Sequence, residues 1–287
     1  MTHRISALFG LTWNPFCADV PIEALWRNAK LEDFCWRMED LVRGGGFALI
    51  TGPPGTGKSV ALRLLAHHLQ TLPDITAGAF TRPQSAMADF YRELGALFGL
   101  ELRPHNRWAG FKTLRDLWLA HVEATRVRPV LLVDEAQEMP LASLAELRIL
   151  ASADFDARSI LTVVLCGDGR LTDQFRREDL LPIATRIRVR LTLEPLTPKE
   201  LLDWLHHALA QAGSPHLMTP EVMTALSEHA LGNLRVLANM ANELLATAAR
   251  RELAQIDQKL YLETFAPQAR PRARSQAAPA AAPRSLP

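Results

Sequence analysis

The feature that most constrains this sequence is a glycine- and proline-rich loop, GPPGTGKS at residues 52–59, between two segments of regular periodicity. The apolar run Phe47–Ile50 precedes the loop and has the length and composition of a buried strand. The segment Lys58–Leu69 follows it, with leucine and alanine at helical spacing. A strand, a tight glycine turn and a helix in this order predict one unit of a parallel α/β sheet.

The loop also fits the pattern G-x-x-x-x-G-K-[ST], in which converging backbone N–H groups surround phosphate oxygens. Glycines permit the close turn, and the dipole of the following helix favours an anion at its N-terminus. Lys58 is expected to contact the β- and γ-phosphates, and the Ser59 hydroxyl is expected to bind Mg²⁺. The predicted ATP-binding residues of this loop are Gly52, Pro53, Pro54, Gly55, Thr56, Gly57, Lys58, Ser59 and Val60.

A second segment supplies carboxylates to the same chemistry. Val130–Val133 is a run of four apolar residues, typical of a strand buried on both faces, and Asp134 and Glu135 follow it. Open α/β sheets bind their ligands at the C-terminal ends of the strands. Asp134 is suited to hold Mg²⁺ through water, and Glu135 is suited to act as general base toward an attacking water. The two segments together predict an enzyme that hydrolyses ATP with Mg²⁺.

Strand-like and helix-like segments alternate up to Leu193, and only helical patterns follow. The five strand-like segments are Phe47–Ile50, Ile75–Phe80, Val130–Val133, Ile160–Leu165 and Ile187–Leu193. This order predicts an α/β core with a parallel five-stranded sheet, followed by a small α-helical lid domain. N-cap chemistry at Thr197 and Thr219, each followed by proline and an acidic residue, predicts where two lid helices begin.

The predicted division of the chain has four parts: an N-terminal segment (1–46), a nucleotide-binding core (47–195), a helical lid (196–266) and a tail (267–287). The tail consists mainly of Pro, Ala, Arg, Ser and Gln and contains no acidic residue, so it is expected to be disordered. Its four arginines are compatible with phosphate contacts and equally with a solvated segment that has no role.

Composition restricts the partners and the compartment. A balance of 32 Lys+Arg against 31 Asp+Glu excludes a strongly basic DNA-coating protein but leaves room for a local basic patch. Three cysteines without metal-ligand spacing are typical of a reducing cytoplasm. No apolar stretch approaches the roughly 18 residues of a membrane helix, and the N-terminus lacks the apolar core of a secretory signal. A cytoplasmic protein without membrane insertion is therefore expected.

The helical region contains Gly232-Asn233-Leu234-Arg235, which with the Asp-Glu pair and the lid resembles AAA+ ATPases. In that family a lid arginine, called sensor 2, reaches the γ-phosphate, which implies this role for Arg235. Thr185-Arg186, just before the fifth strand, is similar to the family's arginine-finger site, which implies that Arg186 serves the ATP of a neighbouring subunit in a homo-oligomer. From the residues alone, Arg186 also fits a solvated sheet edge, because Arg188 and Arg190 alternate with it.

Further motifs narrow the resemblance to ExeA-type ATPases over roughly residues 8–265. They are Phe9-Gly10-Leu11, Asn14-Pro15-Phe16, Gly44–Phe47, Asp134–Gln137 and Gly167–Leu171. This group includes secretion-associated ATPases with a membrane segment and a wall-binding domain. It also includes stand-alone ATPases of the TnsC, TniB and IstB type that accompany transposases.

Because neither addition is recognisable here, the resemblance favours an ATP-dependent DNA-transposition regulator. Such a protein would oligomerise on duplex DNA without sequence specificity, as a ring or a filament, and would recruit or activate a transposase. An ExeA-like secretion-pathway ATPase and a nucleotide-binding switch without significant turnover are the alternatives.

Two details bear on these alternatives. The family usually carries a neutral polar residue, sensor 1, after its fourth strand, whereas this chain has Cys166-Gly167-Asp168. Asp168 is suited to cap the next helix, and a carboxylate near the γ-phosphate is compatible with slow hydrolysis. The candidate DNA contacts are four basic residues within 13 positions, which fit an ordinary solvated helix start as well: Arg103, Arg107, Lys112 and Arg115.

Overall fold

The computed structural model describes residues 7–102, 107–124 and 126–265. The apolar run before the glycine-rich loop is an internal strand of a parallel sheet with the order β2-β3-β6-β1-β7. The strands are β1 (Gly46–Thr51), β2 (Ile75–Phe80), β3 (Arg128–Val133), β4 (Ser152–Ala153), β5 (Arg158–Ser159), β6 (Thr162–Gly167) and β7 (Ile187–Thr192). The short β4 and β5 pair with each other in an antiparallel hairpin outside this sheet. The predicted fold class, an α/β core with a five-stranded parallel sheet followed by helices, is confirmed.

Eleven helices of the described residues are numbered in chain order. They are α1 (Ala29–Gly44), α2 (Lys58–Gln70), α3 (Met87–Leu97), α4 (Arg107–Ala124), α5 (Leu141–Ala151), α6 (Gly169–Gln174), α7 (Leu181–Ala184), α8 (Pro198–Gln211), α9 (Pro220–His229), α10 (Leu234–Arg250) and α11 (Gln258–Phe265). Short 3-10 turns lie at Ile22–Ala24 and Ala136–Glu138.

Both faces of the sheet are buried, which explains why its inner strands are continuously apolar. In β1, Ala48 and Ile50 pack with α1 and α2 on one face, while Phe47 and Leu49 pack on the opposite face with α3, α4 and α5. Alternate side chains of a strand point to opposite faces, so a strand between two helical layers needs apolar residues at every position. β7 is different, because it is an edge strand in which Ile187, Val189 and Leu191 are buried and the residues between them are exposed.

Four of the five predicted strands differ from the observed ones by one or two residues at an end, and β6 is shifted at both ends. β6 covers Thr162–Gly167, whereas the apolar pattern predicted Ile160–Leu165. Ile160 and Leu161 are both buried, although they precede the paired residues of the strand. Hydrophobicity therefore located the burial of this segment correctly but not the start of its pairing.

The helices after residue 196 form a second core, in which Leu201, Leu205 and Leu209 of α8 are fully buried. Thr197 begins α8 with the predicted capping box, since its side chain accepts from the Glu200 N–H and Glu200 bonds back to the Thr197 N–H. The matching prediction for α9 is wrong in its chemistry: Thr219 occupies the N-cap position but makes no side-chain cap bond.

The first part of the N-terminal segment joins this second core, whereas its helix α1 packs on the sheet. Phe9, Leu11 and Phe16 are buried among the helices of the lid, and the Thr12 N–H donates to the Ala212 carbonyl at 2.9 Å. Further along, the Arg63 guanidinium of α2 donates to the carbonyls of residues 18 and 20 at 2.9 and 3.0 Å. The segment therefore spans from the lid to the first helix after the glycine-rich loop.

The predicted tail, residues 267–287 with its four arginines, lies outside the described residues. Among the residues that are described, no helix combines the length and the apolar character needed to cross a membrane.

Anchoring of the N-terminal segment can be measured with two neighbouring residues. Phe9 is 7% exposed and Leu8 is 42% exposed. Phe9→Ala should lower the free energy of unfolding by about 3 kcal/mol, the typical cost of emptying a buried phenylalanine site. Leu8→Ala, as the matched control, should change it by less than about 0.5 kcal/mol. Urea unfolding followed by circular dichroism measures both values, and equal effects would contradict the anchoring.

Candidate nucleotide-binding site

The loop between β1 and α2 has a backbone that only glycine adopts easily. Gly55 and Gly57 have φ values of +85° and +95°, in the left-handed region that side chains disfavour. Space is restricted as well, because a Cβ atom on Gly55 would lie 2.1 Å from the Asn233 side-chain oxygen. The loop is thus a narrow cradle of backbone groups in front of the N-terminus of α2, as phosphate binding requires.

Lys58 lies inside this cradle. The residue is only 7% exposed, and its Nζ donates to the carbonyls of Gly52 and Pro53 at 3.0 and 3.1 Å. Thr56 closes the same turn with a hydroxyl bond to the Pro53 carbonyl at 2.9 Å. A buried ammonium is costly unless it is hydrogen-bonded, so these carbonyls fix a positive charge beside the loop N–H groups.

Ser59 and Asp134 reach the same edge of the sheet from different strands. Ser59 is in the first turn of α2, which follows β1 through the glycine-rich loop, and Asp134 follows the end of β3. Only β6 separates these two strands, a spacing of about 10 Å between β1 and β3. A hydroxyl and a carboxylate, with water and phosphate completing the shell, suit Mg²⁺, which binds few protein oxygens. The two residues therefore fit the predicted metal.

Cys166 lies beside Asp134 but is unsuited to bind a metal. The thiol is fully buried, and burial, together with the negative charge of Asp134, raises its pKa far above the usual range. The thiol therefore stays protonated and behaves as a small core residue.

Glu135 follows Asp134 in a left-handed backbone conformation, with a φ of +49°. Such a conformation is uncommon for a residue with a long side chain and occurs preferentially at functional positions. The residue is exposed and lines the large cavity in front of the loop. Its carboxylate accepts a hydrogen bond from the Gln137 side-chain amide.

Asp168, the first residue after β6, has the predicted role of a helix N-cap. Asp168 caps α6, since its carboxylate accepts from the Arg170 N–H at 2.9 Å. The same carboxylate forms an ion pair with the Arg170 guanidinium, which also bonds to Glu138. The prediction that Asp168 caps the next helix is confirmed.

The lid is hydrogen-bonded directly to the glycine-rich loop. Asn233 donates from its side chain to the Pro54 carbonyl at 3.1 Å, and the Arg235 N–H donates to the Gly55 carbonyl at 3.3 Å. Asn233 also caps α10 with its side-chain oxygen. The Arg235 side chain lines the same cavity as Glu135. The contact that Asn233 makes to the loop is not predicted from the sequence, although an Asn after Gly232 at the start of a helix is a recognisable cap signal.

A cavity of about 780 Å³ extends from the loop between the sheet, the lid and the N-terminal segment. Its volume lies in the range of about 300–1,000 Å³ that is typical of ligand pockets. Its apolar part is lined by residues that the sequence analysis did not assign to the site: Trp13, Phe16, Val20, Leu25 and Trp204. The Trp13 indole N–H is buried and lacks a hydrogen-bond partner among the described residues. An aromatic wall of this kind is suited to stack on a heteroaromatic base, which fits ATP.

Arg186 lies at the opposite end of the sheet from this cavity. It directly precedes β7, whereas the glycine-rich loop follows the C-terminal end of the neighbouring β1. Six residues of strand separate the two ends by about 20 Å. The Arg186 guanidinium bonds to the Asp156 carboxylate and the Pro182 carbonyl. Hydrogen bonds from Ser152 and from Arg186 lower the pKa of Asp156.

The surroundings of Arg186 are rich in arginine. A pocket of about 210 Å³ is lined by the arginines at positions 148, 158, 186 and 188. Asp156 belongs to the hairpin turn between β4 and β5, where residues 154–156 all have positive φ and the Phe155 side chain is fully exposed. This face therefore presents cations next to an exposed aromatic ring.

The four candidate DNA contacts do not form one free patch. Arg107 binds the buried carboxylate of Glu146 through two nitrogens. Arg115 donates to the carbonyls of Ile149 and Ser152 and lies over the Phe111 ring at 5.2 Å. Both arginines therefore attach α4 to α5 and its C-terminal end. Lys112 is exposed, and Arg103 lies outside the described residues.

Replacing Lys58 with alanine tests the phosphate cradle. Hydrogen bonds from a charged group contribute about 1.5–3 kcal/mol, so Lys58→Ala should weaken ATP binding by about 10- to 100-fold. Titration with a fluorescent ATP analogue measures the Kd. Lys112→Ala, on the exposed face of α4, is the control and should bind as the wild type does. An unchanged Kd in Lys58→Ala would remove this lysine from the site.

The comparisons with known proteins agree with this geometry. Residues 42–175 match the family model described as an AAA domain. The chain is 31% identical over 252 residues to General secretion pathway protein A of Aeromonas hydrophila, which covers 85% of this chain and 44% of that protein. The chain thus spans less than half the length of this curated relative.

Similar solved structures share the fold at low sequence identity. Cdc6p from Pyrobaculum aerophilum superposes with a TM-score of 0.68 at 15% identity, over 84% of this chain and 67% of that one. Drosophila ORC bound to DNA superposes with a TM-score of 0.65 at 19% identity, over 92% of this chain and 65% of that one. Domain III of the Thermotoga maritima replication initiation protein DnaA gives 0.59 at 16% identity, over 87% and 96%.

These findings confirm the resemblance to the ExeA type at the level of the secretion-pathway relative, while the similarity to transposition ATPases stays a prediction. Residues 42–175 match the AAA domain model, the chain has an AAA+ fold, and its sequence is similar to that of General secretion pathway protein A.

Proposed function

We propose that this chain binds and hydrolyses ATP, and that neighbouring copies complete one another's sites in a homo-oligomer. The observation that carries the proposal is the convergence of Lys58, Glu135 and Arg235 on one cavity, with Arg186 at the far end of the same sheet. Three of these groups face one nucleotide site within the chain. The fourth needs a second copy to reach such a site.

Binding is the task of the cradle and the cavity. Lys58 and the N–H groups of the loop hold the phosphates, while the aromatic wall around Trp13 holds the base. Mg²⁺, when bound by Ser59 and Asp134, neutralises charge on the β- and γ-phosphates. Arg235 approaches from the lid and adds a positive charge that moves with the lid.

Hydrolysis requires a water to be activated. Glu135 accepts a proton from this water as its oxygen attacks the γ-phosphorus, and the bond from the γ-phosphorus to the bridging oxygen of ADP breaks. The products are ADP and inorganic phosphate. Since the Glu135 side chain is exposed to the cavity, water has access to it.

The last charge is supplied in trans. Arg186 is about 20 Å of strand away from the loop of its own chain, so it is unsuited to act there. In a head-to-tail assembly, its arginine-rich face would meet the nucleotide of the next copy. Arg186 must then leave Asp156, and the negatively charged phosphates offer the guanidinium a replacement partner.

The biological setting best supported is that of a secretion-pathway ATPase. The identity of 31% extends over 85% of the chain, beyond the limits of the AAA domain, and includes the region of the lid. In this setting the ATPase would act on a protein partner of a secretion machine, and hydrolysis would reset the assembled state.

A DNA-dependent role, including transposase recruitment, is the second candidate. The exposed Lys112 next to the exposed Trp108 favours it, as do related folds solved with DNA, namely Drosophila ORC and Aeropyrum pernix ORC1. ATP turnover measured with and without duplex DNA separates the two candidates. If duplex DNA stimulates turnover and Lys112→Ala loses this stimulation, the DNA role is favoured. If duplex DNA does not stimulate turnover, the secretion role is favoured.

Replacing Glu135 with glutamine tests the general base. Glu135→Gln keeps the shape of the side chain but removes its ability to take a proton, so turnover should fall by about 10²-fold or more. ATP binding should persist, because Lys58 and the loop are unchanged. Phosphate release and the Kd for ATP measure the two effects. Glu138→Gln, three residues further and bonded to Arg170, is the control and should hydrolyse ATP normally.

Mixing two inactive variants tests catalysis across the interface. Arg186→Ala should bind ATP but hydrolyse it poorly, since an arginine finger contributes roughly 10³-fold or more. Lys58→Ala has the opposite defect, because it lacks the nucleotide but retains Arg186. A mixture should therefore recover turnover at those sites where an Arg186→Ala copy with ATP adjoins a Lys58→Ala copy.

Sedimentation of the equal mixture checks that the two variants assemble together. If they do and turnover stays at the level of the separate variants, Arg186 does not act on the neighbouring site. The site is then complete within one chain, or another arginine such as Arg188 is the finger.

A further inference from the structure

The strand next to the general base lacks a polar side chain that reaches it. β6 ends in Cys166, which is buried, and Gly167, which has no side chain. Asp168 follows, but its carboxylate is taken up by the N-terminus of α6 and by Arg170. The carboxylate of Glu135 therefore needs another group to fix its direction.

The Gln137 side chain contacts both the Glu135 carboxylate and the backbone at the end of β6. Its side-chain N–H donates to the Glu135 carboxylate, and its side-chain oxygen accepts from the Asp168 N–H at 3.2 Å. The residue is only 6% exposed. Its backbone carbonyl also accepts from the Gln174 amide at 3.0 Å, which holds the 3-10 turn against α6.

Gly167 makes room for this amide. A Cβ atom at position 167 would lie 2.5 Å from the Gln137 side-chain oxygen, closer than non-bonded atoms approach. Gln137 can therefore occupy this position only because residue 167 has no side chain. The space above the strand end is filled by an amide from the segment after β3.

An amide suits this position for a physical reason. Its head carries a donor and an acceptor, and a buried amide is costly unless both are paired. Here the acceptor is held by a backbone N–H at the end of a strand that is paired on both sides, with β1 and β3. The donor is then aimed at a carboxylate whose residue has a left-handed backbone.

We infer that Gln137 is a positioning residue for ATP hydrolysis, whose side-chain amide ties the Glu135 carboxylate to the end of β6. The inference rests on the proposed function and adds to it the group that orients the base. Since Gln137 acts through Glu135, its removal should slow the chemical step and leave nucleotide binding intact. A misplaced catalytic group typically costs up to about 10²-fold in rate.

The test uses the full chain and two substitutions. Gln137→Met keeps the length of the side chain and removes both hydrogen bonds. Gln137→Glu keeps an acceptor for the Asp168 N–H but sets a like charge against Glu135, and it serves if the methionine variant fails to fold. For either variant, kcat should fall about 10-fold or more, while KM for ATP and the Kd stay within about twofold. Gln255→Met, the same change at an exposed glutamine that does not line the cavity, is the control and should keep kcat within about twofold.

A double-variant cycle separates positioning from general support of the fold. In the Glu135→Gln background, Gln137→Met should change the residual rate by less than about twofold, because the carboxylate it orients is already absent. An equal loss in both backgrounds, or a parallel loss of ATP binding, would overturn the inference. So would a full kcat in Gln137→Met.

ATP turnover by the wild type distinguishes failure of the proposed function from failure of this inference. A wild-type chain that binds ATP but never hydrolyses it would overturn the proposed function and this inference together. A wild-type chain that hydrolyses ATP, with Gln137→Met equally fast, would overturn the inference alone.

Discussion

Parallel strand pairing is the constraint on which the site depends. β3, β6 and β1 are neighbours and run in the same direction, so their C-terminal ends lie side by side. Asp134 and Glu135 leave one of these ends, Gly167 leaves the second, and the glycine-rich loop leaves the third. The hydrogen-bond ladders that align the strands therefore also align the groups that face phosphate and water.

The lid contributes to the same edge through a small number of polar contacts. Asn233 bonds to the loop and at the same time caps α10, so one side chain connects the start of a lid helix with the backbone that surrounds phosphate. Gly55 has no side chain where Asn233 approaches it. A displacement of the loop would therefore be transmitted to the N-terminus of α10 and to Arg235. This is a physical link between the state of the nucleotide site and the orientation of the lid.

Local patterns in the sequence predicted the sheet, the loop and the order of core and lid, because each depends on residues close together in the chain. The missed contacts join distant parts of the chain. Gln137 reaches the end of β6, the N-terminal aromatic residues pack into the lid, and Arg107 finds a buried carboxylate on α5. Charge and spacing gave Arg107 and Arg115 the character of a surface patch, since nothing in their own segment indicates that Glu146 is buried nearby.

The length of β6 has a consequence for any assembly of this chain. Its first residues adjoin the β4–β5 hairpin that binds Arg186, and its last residue adjoins Gln137. The strand is hydrogen-bonded to a neighbouring strand on each side, so its length of about 20 Å is fixed. In a head-to-tail array, the distance from one nucleotide to the next would be the length of this strand plus the thickness of one interface. Changes in the pitch of such an array would then have to come from rotation at the interfaces, because the sheet is rigid along its strands.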